Sequence, residues 1–507
     1  MVERKILGLD ALARVAKSLK AKGRHTVLCH GVFDMMHIGH IRHFEAAKEF
    51  GDVLIVTITP DRFVNKGPGR PVFGEKLRAE AIAALGCVDY VAINYWPIAV
   101  RTIALLKPSF YAKGKEYENA AEDVTGKILD EERAVRKVGG RLVFTDEITF
   151  SSSRLINKHS EVLPEKTREF LANFTRRHRF ADIRAVLEAA KSLRVLVVGE
   201  AIIDEYQYCT AIGKSSKEPT LVMKALSSEK FAGGILAVAN HVAEFCSNVT
   251  MLTTLGIQNP QKRFIESHLK SNVQPLYIYR TDAPTIVKRR FIEHYFFMKM
   301  MEVYEINDTE PDEETDRALC GALAKCLPKH DLVIVVDYGH GMINREAITM
   351  LCRKSAFLAL NTQSNAGNLG YHTVSMYPKA DYVTMTEVEL RLESRDRRSD
   401  VGGLVKNVAG RLDCGLLMAT RGSHGCLGYD KKNGLVAVPA FAGKVVDRVG
   451  AGDAFLSISA LCAVQGAPLD VLGLVGNCAG AQAVATVGNK ESVNKVALLK
   501  QIETLMK

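Results

Sequence analysis

The sequence predicts an α/β protein with two domains, each built around a mostly parallel sheet. Short apolar runs alternate with helical patterns over residues 26–160, and the same alternation resumes at Arg194. This rhythm is typical of parallel strands joined by helices that cover the faces of a sheet. Residues 161–192, between the two regions, are rich in charge and helical in pattern. We therefore expect domains at 1–160 and 193–507, joined by a connecting helical segment.

The first region carries five short runs of apolar and β-branched residues, each of strand length. They are Thr26–Cys29, Val53–Ile58, Tyr90–Ile93, Phe110–Ala112 and Leu142–Phe144. Helical patterns lie between them, as at Ile41–Phe50 and Glu75–Leu85. Parallel strands with crossover helices predict a Rossmann-like domain, whose ligands bind at the carboxyl ends of the strands.

The second region contains comparable strand-like runs. They are Val195–Gly199, Leu332–Val336, Phe357–Leu360, Tyr382–Thr384 and Leu416–Ala419. Residues 454–488 are rich in Ala, Gly and Val, and Gln465-Gly-Ala-Pro468 interrupts them. Because glycine and proline break helices, this segment predicts two packed helices. The second domain is therefore also expected to have an α/β fold with a central, mostly parallel sheet.

The composition is that of an ordinary globular protein, with 47% hydrophobic and 24% charged residues. No apolar run approaches the roughly 18 residues that a membrane span requires, so no membrane partner is expected. Eleven cysteines occur without a Cys-x-x-Cys pair, which favours reduced thiols in the cytoplasm. The net charge of +10 with a single tryptophan favours small anionic substrates over nucleic acid.

A first candidate site is Gly31-Val-Phe-Asp-Met-Met-His37-Ile-Gly-His40, which directly follows the first predicted strand. A glycine turn before a helix presents backbone N–H groups that favour an anion. His37 and His40 can donate hydrogen bonds to phosphate oxygens during in-line attack. Metal ligation is the alternative, and it would need a further ligand such as His43.

The surrounding residues carry a family resemblance. Besides the histidine pair they are Phe33-Asp34, Lys66-Gly67, Arg70-Pro71-Val72, Arg78, Lys113-Gly114, Tyr117 and Ser151-Ser-Ser-Arg154. Over about residues 24–160 the chain resembles nucleotidyltransferases of the cytidylyltransferase type, in particular the heptose-1-phosphate adenylyltransferase branch. The resemblance implies that His37, His40 and Lys66 stabilise the transferring phosphoryl group. It also implies nucleotide contacts from Gly31, Phe33, Arg78, Lys113, Ser151, Ser152, Ser153 and Arg154.

A second candidate site is Asp447-Arg-Val-Gly450-Ala-Gly452-Asp453, which precedes an apolar helical pattern. Glycine lets a phosphate approach the backbone of a helix N-terminus closely. Asp453 then stands where a carboxylate can accept the proton of an attacking hydroxyl. A glycine turn with an aspartate as helix cap is the structural alternative.

The rest of the second region also carries a recognisable pattern. Its features are Val197-Val-Gly199-Glu-Ala-Ile-Ile-Asp204-Glu-Tyr206, Gly233-Gly234, Pro284-Thr285, Lys288, Arg290, Asp337-Tyr338-Gly339, Gly341, Glu389, Thr420-Arg421-Gly422, Gly425 and Asn477. With these features, residues 194–500 resemble the ribokinase-like sugar kinases, among them the heptose-7-phosphate kinase domain.

That resemblance implies a role for each group of residues. Sugar hydroxyls would be held by Asp204, Gly233 and Gly234, and a sugar phosphate by Lys288 and Arg290. Asp453 would be the base, with an anion hole formed by Gly450, Ala451 and Gly452. The ATP site would be lined by Thr420, Gly422, Gly425 and Asn477. Glu389 would be associated indirectly with Mg²⁺.

Five positions depart from the pattern of these kinases. They are Ala237 in place of a sugar-contacting Asn, Asn361 and Gln363 in place of an Asp and a Lys, Thr386 in place of an Asn near the magnesium, and Arg448 in place of a small residue beside the anion hole. Loss of polar groups from a site built around hydroxyls strongly changes specificity. An altered acceptor and an inactive, binding-only domain are therefore alternatives to an active heptose kinase.

Together the two resemblances imply a bifunctional enzyme of nucleotide-sugar synthesis. One domain would phosphorylate a sugar or sugar phosphate with ATP. The other would join a sugar 1-phosphate to a nucleotide taken from ATP or CTP, and both reactions would use Mg²⁺. The familiar bifunctional heptose enzyme places its kinase first, whereas the transferase comes first here.

Other functions stay open from the sequence. The transferase could be fused to a degenerate kinase, or it could use CTP with a polyol or other alcohol phosphate. Aminoacyl-tRNA synthetases of the first class share His-x-Gly-His, but they need a Lys-Met-Ser-Lys-Ser type loop that the sequence lacks. The expected partners are sugar phosphates and nucleoside triphosphates, and the assembly considered is a homodimer.

Overall fold

The computed structural model describes residues 2–64, 70–115, 128–145, 163–307, 309–368 and 370–507. The chain divides into two compact units, one formed by Met1–Leu171 with Leu499–Lys507 and the other by Ala172–Leu498. Each unit is built on its own main sheet, and the predicted α/β class is confirmed. In the described part of the chain, no helix has both the length and the apolar character needed to cross a bilayer.

Five parallel strands form the sheet of the N-terminal unit. They are β1 (Thr26–Gly31), β2 (Val53–Ile58), β3 (Tyr90–Ile93), β4 (Phe110–Gly114) and β5 (Arg141–Thr145). Their order is β3-β2-β1-β4-β5, and every neighbouring pair is parallel. The order therefore reverses at β1, which has β2 on one side and β4 on the other. Such a switch point opens a crevice beyond the carboxyl ends of the strands.

Helices cover both faces of this sheet. They are α1 (Leu9–Ala21), α2 (Ile38–Lys48), α3 (Glu75–Ala83), α4 (Val100–Leu106) and α5 (Ile128–Lys137). Successive residues of a strand face opposite sides of the sheet. Val27 of β1 accordingly joins a core with Phe44 of α2, while the next residue, Leu28, joins a separate core with Leu12 of α1.

The described residues of the C-terminal unit form thirteen strands in two sheets. They are β6 (Arg194–Gly199), β7 (Ala201–Lys214), β8 (Leu221–Gly234), β9 (Asn248–Gly256), β10 (Val273–Arg280), β11 (Ile286–Glu293), β12 (Met298–Glu305), β13 (Leu332–Asp337), β14 (Leu358–Thr362), β15 (Lys379–Thr386), β16 (Asp413–Thr420), β17 (Cys426–Asp430) and β18 (Gly434–Val438). Nine of them form the main sheet in the order β10-β9-β6-β13-β14-β15-β16-β17-β18. This sheet is parallel except at β17 and β18, so the expectation of a mostly parallel sheet is confirmed.

A second, four-stranded sheet has the order β12-β11-β7-β8. The β7 and β8 strands form a long antiparallel pair, and β11 runs parallel to β7. None of these four strands was among the runs predicted from the sequence. We call this sheet the small sheet, and it carries Asp204, Lys288 and Arg290.

The remaining helices are α6 (Glu165–Arg177), α7 (Phe180–Ala189), α8 (Ile235–Ala243), α9 (Lys262–His268), α10 (Glu313–Cys326), α11 (Arg345–Lys354), α12 (Glu387–Ser394), α13 (Val401–Arg411), α14 (Ala451–Ala463), α15 (Leu469–Ala483) and α16 (Lys495–Leu505). The predicted pair of helices over 454–488 corresponds to α14 and α15, which pack together. Nearly every residue of α14 is buried, as expected of a helix that is apolar on all sides. Burial begins at Asp453, while Ala451 and Gly452 at the start of α14 remain accessible.

Two candidate active sites

The first candidate site lies at the carboxyl end of β1, at the switch point of the five-stranded sheet. Residues 32–37 connect β1 to α2, and Phe33 and Met35 adopt positive φ angles of 48° and 49°. Such angles are uncommon for residues other than glycine. A Cβ atom at Gly31 would lie 2.9 Å from the Phe33 ring. Gly31 therefore allows Phe33 to fold back over the end of the strand.

The structure brings His37 and His40 into contact. Their rings stack with centroids 3.9 Å apart, and the Phe33 ring meets His40 edge-on at 5.5 Å. His37 is the N-cap of α2, where its Nδ1 accepts the N–H of Gly39 at 3.2 Å. This bond leaves the proton of a neutral imidazole on Nε2. Burial lowers the pKa of His37, so at neutral pH it is an uncharged N–H donor.

Asp34, also part of the motif, has a structural role. Its buried carboxylate accepts the N–H of Val72 at 2.9 Å and the N–H of Phe73 at 3.3 Å. It thereby ties the loop after β1 to the segment that precedes α3.

Arg78, which the sequence resemblance assigns to nucleotide binding, makes several structural contacts. Its side chain is 2% exposed, and it donates to the carbonyls of Phe73 at 2.9 Å, Val32 and Thr59 at 2.9 Å. It also pairs with the Asp61 carboxylate at 2.5 Å. The guanidinium therefore holds three loops together from inside the protein. A role of Arg78 in nucleotide binding remains a prediction from the sequence.

Lys113 and His43 lie on the side of the switch point that is formed by β4 and β5. Lys113, in β4, forms an ion pair with Glu131 of α5 at 3.0 Å. His43 Nδ1 is 2.7 Å from the Thr145 hydroxyl, and burial with the nearby Lys113 charge lowers its pKa to about 4. Among the residues that the structure describes, no three His, Cys, Asp or Glu are placed to hold a metal ion. The geometry therefore gives the metal alternative at this site no support.

Several residues assigned to this site lie outside the described residues. They are Lys66, Ser151, Ser152, Ser153 and Arg154. Their assigned roles remain predictions from the sequence.

The second candidate site lies at the N-terminus of α14. Gly450 is the N-cap residue with φ 81°, and Ala451 and Gly452 open the helix. A Cβ atom at Gly450 would lie 2.1 Å from Asn489 Oδ1, so both the conformation and the space require glycine. Asp453 stands in the first turn and is 9% exposed. Backbone N–H groups and the helix dipole favour an anion at this position.

The environment of Asp453 brings its titration close to neutral pH. Burial raises the pKa of Asp453 from 3.8 to about 7, and the charges of Asp204 and Glu389 act in the same direction. The Tyr338 hydroxyl and the Lys288 ammonium oppose them in part. A carboxyl group that titrates near pH 7 can both accept and return a proton under physiological conditions.

Asp204 and Arg290, which were assigned to the substrate, pair with each other in the small sheet. Arg290 Nη1 donates to Asp204 Oδ1, and its Nε donates to Glu302 at 3.0 Å. Asn489 donates to the other oxygen of Asp204 at 3.4 Å. A Cβ atom at Gly233 would lie 2.0 Å from this oxygen, so glycine is required there. These contacts fix the buried Asp204 carboxylate and the buried Arg290 guanidinium in place, and we call this part of the site the acceptor wall.

Lys288 projects from β11 between two aromatic rings. Its ammonium lies 5.0 Å from the centre of the Tyr304 ring and 6.0 Å from that of Tyr338. The side chain is 5% exposed, and this burial lowers its pKa, although Asp204 opposes the change. Gly234, with φ 57°, ends β8 and begins α8 close to the same wall. An ammonium in this setting can bind a phosphate as a point charge.

The residues assigned to ATP gather beyond β16. Thr420 ends that strand, and Gly422 and Gly425 follow with φ angles of 56° and 79°. Asn477 of α15 donates to the carbonyls of residues 438 and 439 at 3.2 and 2.9 Å. The Asn477 amide thus stabilises the segment after β18, and a role in ATP binding remains a prediction.

Thr386 and Glu389 form a capping box at the start of α12. Thr386 Oγ1 accepts the N–H of Glu389 at 3.2 Å, and Glu389 Oε2 accepts the N–H of Thr386 at 2.7 Å. The second Glu389 oxygen accepts the N–H of Ser364 at 3.0 Å. Burial raises the pKa of Glu389. Threonine in place of asparagine therefore keeps a helix-capping side chain.

The other departures from the kinase pattern have simpler surroundings. Ala237 is buried in α8, and Arg448 is exposed beside the turn that precedes α14. The Asn361 amide donates to the Thr384 carbonyl at 2.9 Å and so braces β15 against β14. The backbone N–H of Gln363 donates to the Asp337 carbonyl at 2.9 Å.

Asp447 has structural contacts to which sequence reasoning assigned no role. Its buried carboxylate accepts from the Tyr206 hydroxyl at 2.5 Å and from the Gly488 N–H at 3.0 Å. It also pairs with Lys299 of β12 at 2.5 Å. Asp447 thus joins the small sheet to the turn before α14. The sequence did contain an indication of this role, because Asp447 is the acidic residue that begins the glycine motif.

Glu200 and Asp337 also belong to the sequence pattern of the second region, but no role was predicted for either. Glu200 accepts the N–H groups of Tyr338 and His340, each at 3.0 Å. Asp337 accepts from the Tyr377 hydroxyl at 2.6 Å. Burial and the Asp337 charge raise the pKa of Glu200. Glu200 directly follows β6 and Asp337 is the last residue of β13, and together they hold the segment that carries Tyr338 beside Asp453.

Two protein-family models match the chain. The model described as pfkB family carbohydrate kinase matches residues 192–496, and the one described as Cytidylyltransferase-like matches residues 28–158. The two resemblances inferred from the sequence are thereby confirmed.

Curated relatives and solved structures agree with these matches. The Bifunctional protein HldE of Geotalea uraniireducens is 38% identical over 160 residues, which cover 30% of this chain and 31% of that protein. That of Bradyrhizobium diazoefficiens is 25% identical over 311 residues, or 61% and 62% of the two chains. The crystal structure of phosphofructokinase-2 from Escherichia coli in complex with potassium is 16% identical. The alignment covers 62% of this chain and 100% of the phosphofructokinase-2 chain, with a TM-score of 0.50. This similarity concerns the fold alone.

Proposed function

The chain belongs to the pfkB family of carbohydrate kinases, and on that premise we propose that it is a bifunctional enzyme of nucleotide-sugar synthesis. The C-terminal unit transfers the γ-phosphoryl group of ATP to a sugar or sugar phosphate. The N-terminal unit transfers the nucleoside monophosphate part of ATP or CTP to a sugar 1-phosphate and releases pyrophosphate. The observation that carries the proposal is Asp453, a buried acid with a pKa of about 7 at a glycine-capped helix N-terminus.

In the kinase reaction, the acceptor hydroxyl is bound beside Asp453. The carboxylate accepts the hydroxyl proton as the oxygen attacks the γ-phosphorus in line. The backbone N–H groups at the start of α14 stabilise the charge on the transferring group. Lys288 binds a phosphate on the acceptor, and Asp204 accepts from a sugar hydroxyl. Because Asp204 and Arg290 already hold one another, little side-chain ordering is needed when the acceptor binds.

In the transferase reaction, the sugar 1-phosphate attacks the α-phosphorus of the nucleotide. The Nε2–H of His37 and the imidazole of His40 donate to oxygens of that phosphorus and of the leaving pyrophosphate. The stacked rings are held by the α2 cap and by Phe33, so the donors are in place before substrate binds. Lys113 adds positive charge at the switch point, and Lys66 and Ser151–Ser153 are proposed to hold the remaining phosphate oxygens.

Mg²⁺ screens the polyphosphate in reactions of both kinds. In the described part of the chain no cluster of three His, Cys, Asp or Glu could hold it, and both Glu389 oxygens accept backbone N–H groups. These residues therefore do not fit a resident Mg²⁺ site. We propose that the ion arrives bound to the triphosphate as part of the substrate.

For the acceptor, we propose a sugar phosphate of the heptose type, on the strength of the sequence resemblance. Two departures from the kinase pattern are compatible with activity, because Thr386 keeps the helix cap and Asn361 braces the sheet. We also propose a reducing compartment, since all eleven cysteines are unpaired. A homodimer remains a prediction that light scattering would test.

A product screen by mass spectrometry tests the proposal. The full chain is incubated with ATP and Mg²⁺ and a set of sugars and sugar phosphates, and separately with ATP or CTP and a set of sugar 1-phosphates. We expect a phosphorylated sugar that Asp453→Ala abolishes, and a nucleotide sugar that His37→Ala suppresses. ATP binding to the C-terminal unit without turnover would instead support the degenerate kinase. A product formed only from CTP and a polyol phosphate would support the other transferase.

A further inference from the structure

A cavity in the C-terminal unit lies next to the acceptor wall of the proposed kinase site. It has a volume of about 150 Å³. Its lining comes from the end of β8, from α8, from the end of α9 and from the loop after α15: Ala232, Ala237, Asn240, His241, His268, Lys270, Asn489, Lys490, Glu491 and Ser492. At about 30 Å³ per water molecule, this space holds about five waters or a small polyatomic ion.

The cavity is separate from the acceptor wall of the kinase site. Ala232 and Gly233 are neighbours in β8, so their side-chain directions point to opposite faces of the small sheet. The Gly233 direction faces Asp204, and the cavity therefore borders the other face at Ala232. Asn489 stands between them, since it lines the cavity and also donates to Asp204 at 3.4 Å.

His241 supplies a buried donor to this cavity. Its side chain is 2% exposed, and its Nδ1 accepts the N–H of Val493 at 2.9 Å. That bond assigns the proton of a neutral imidazole to Nε2. Burial and the nearby Lys270 charge lower the pKa of His241 to about 4, so the ring is neutral at pH 7. Nε2 finds no hydrogen-bond acceptor among the described residues, and a buried donor without an acceptor is costly.

Ammonium groups in the lining add hydrogen-bond donors for a ligand that binds beside His241. Lys270 and Lys490 contribute two ammonium groups, against one carboxylate from Glu491. Carboxylates outside the lining hold both ammonium groups, Glu244 at 2.6 Å from Lys270 and Glu229 at 3.0 Å from Lys490. The wall is therefore fixed before a ligand binds.

Asn240 adds rigidity to the same wall. Its amide donates to the His268 carbonyl at 2.8 Å and accepts the N–H of Lys270 at 2.9 Å. The ends of α8 and α9 are thus joined around the opening. Such pre-organisation lowers the entropic cost of binding a small ligand.

We propose that this cavity is a binding site for a small oxyanion, a phosphate or carboxylate group, with His241 Nε2–H as its innermost donor. Lys270 and Lys490 supply ammonium donors, and the side-chain amides of Asn240 and Asn489 border the ligand. The site does not depend on the proposed reactions, because His241, Lys270 and Lys490 have no role in either of them, although Ala237 and Asn489 border the kinase site as well.

Titration of the full chain tests this site with two probes, inorganic phosphate and malonate. The protein is labelled with ¹⁵N-histidine, and the His241 resonance is identified by its loss in His241→Phe. We expect saturable shifts of the His241 Nε2–H signal with at least one probe, and the tighter probe identifies the preferred oxyanion. In calorimetry, Lys270→Gln should weaken that binding at least tenfold, as should His241→Phe.

Two control variants separate this site from others that bind phosphate. Lys288→Met removes the cation assigned to the sugar phosphate, and His330→Gln changes a histidine that bonds to the Cys326 carbonyl and the Thr250 hydroxyl. Both should leave the titration of the His241 signal unchanged. An unshifted His241 signal with both probes, or binding that disappears in Lys288→Met, would overturn the proposal. A signal that neither probe moves would mean that only water occupies the cavity.

Discussion

Replacement of Asp453 by asparagine should remove kinase activity and yet stabilise the C-terminal unit at alkaline pH. The reason is that Asp453 is held where its ionised form is unfavourable, since burial raises its pKa to about 7. A group whose pKa is raised on folding contributes stability below its unfolded pKa and loses it as the pH rises through the folded value. For Asp453, this stabilising contribution is therefore lost between about pH 4 and about pH 7.

The magnitude follows from the size of the pKa change. A rise from 3.8 to about 7 corresponds to about 4 kcal/mol, at roughly 1.4 kcal/mol per pKa unit. Part of this loss has already occurred at pH 5, so about 3 kcal/mol remains between pH 5 and pH 8. Asparagine does not ionise and avoids this loss. The stability of Asp453→Asn relative to the native chain should therefore increase by about 3 kcal/mol between the two pH values.

The assay is urea unfolding at pH 5 and pH 8, followed by a probe of the C-terminal unit. Asp447→Asn is the matched control, because it removes the charge of an acid in the same turn. Burial of Asp447 would raise its pKa, but hydrogen bonds from Lys299 and Tyr206 lower it overall. Its stabilising contribution is lost only as the pH falls through that lowered value. Asp447→Asn should therefore destabilise the protein at both pH values. If Asp453→Asn changed stability equally at pH 5 and pH 8, the reasoning on Asp453 would be refuted.

Three further predictions concern other residues. His37→Ala and His40→Ala should each lower the transferase rate at least ~10²-fold, the effect of losing a pre-organised donor, with unchanged circular dichroism. An unchanged rate in either variant would exclude the assigned role. Arg78→Met should lower the free energy of unfolding by roughly 3 kcal/mol or more, since each buried carbonyl left without its donor costs about 1–3 kcal/mol. A variant as stable as the native chain in urea would contradict its structural role. Thr386→Ala should cost about 1 kcal/mol through loss of the helix cap, whereas Thr386→Asn should be nearly neutral. Equal losses in the two Thr386 variants would show that the cap is unimportant.

Periodicity was sufficient to predict the parallel sheets. Buried parallel strands are continuous apolar runs, and Val53–Ile58 begins and ends where expected. The start of α2 was less well predicted, because the helix begins at Ile38 rather than Ile41. The reason is that His37 is itself the N-cap, and histidine is not one of the residues that are preferred at that position.

The small sheet could not be predicted in this way. Most of β8 before Phe231 is exposed, so its residues show no alternation of buried and exposed positions. Strand formation there depends on pairing with β7 and on β11, which is more than 50 residues further along the chain. Local sequence carries little information about such pairing.

The candidate sites were predicted only in part, because motifs contain local neighbours and not the contacts between residues that are distant in sequence. Motifs at a helix start keep their residues together, as His37 with His40 and Gly450 with Asp453. The ion pair between Asp204 and Arg290 joins residues 86 positions apart, and it became visible only in the fold. The hydrogen bonds that commit Arg78 to structure likewise come from loops distant in sequence.

The most direct test of the central claim assays both activities in the same two variants of the full chain. Asp453→Ala should lose ATP-dependent sugar phosphorylation and retain the transfer of a nucleotide to a sugar 1-phosphate. His37→Ala should show the opposite loss. If both variants lost both activities while remaining folded, or if neither lost any, the assignment of one reaction to each unit would be contradicted.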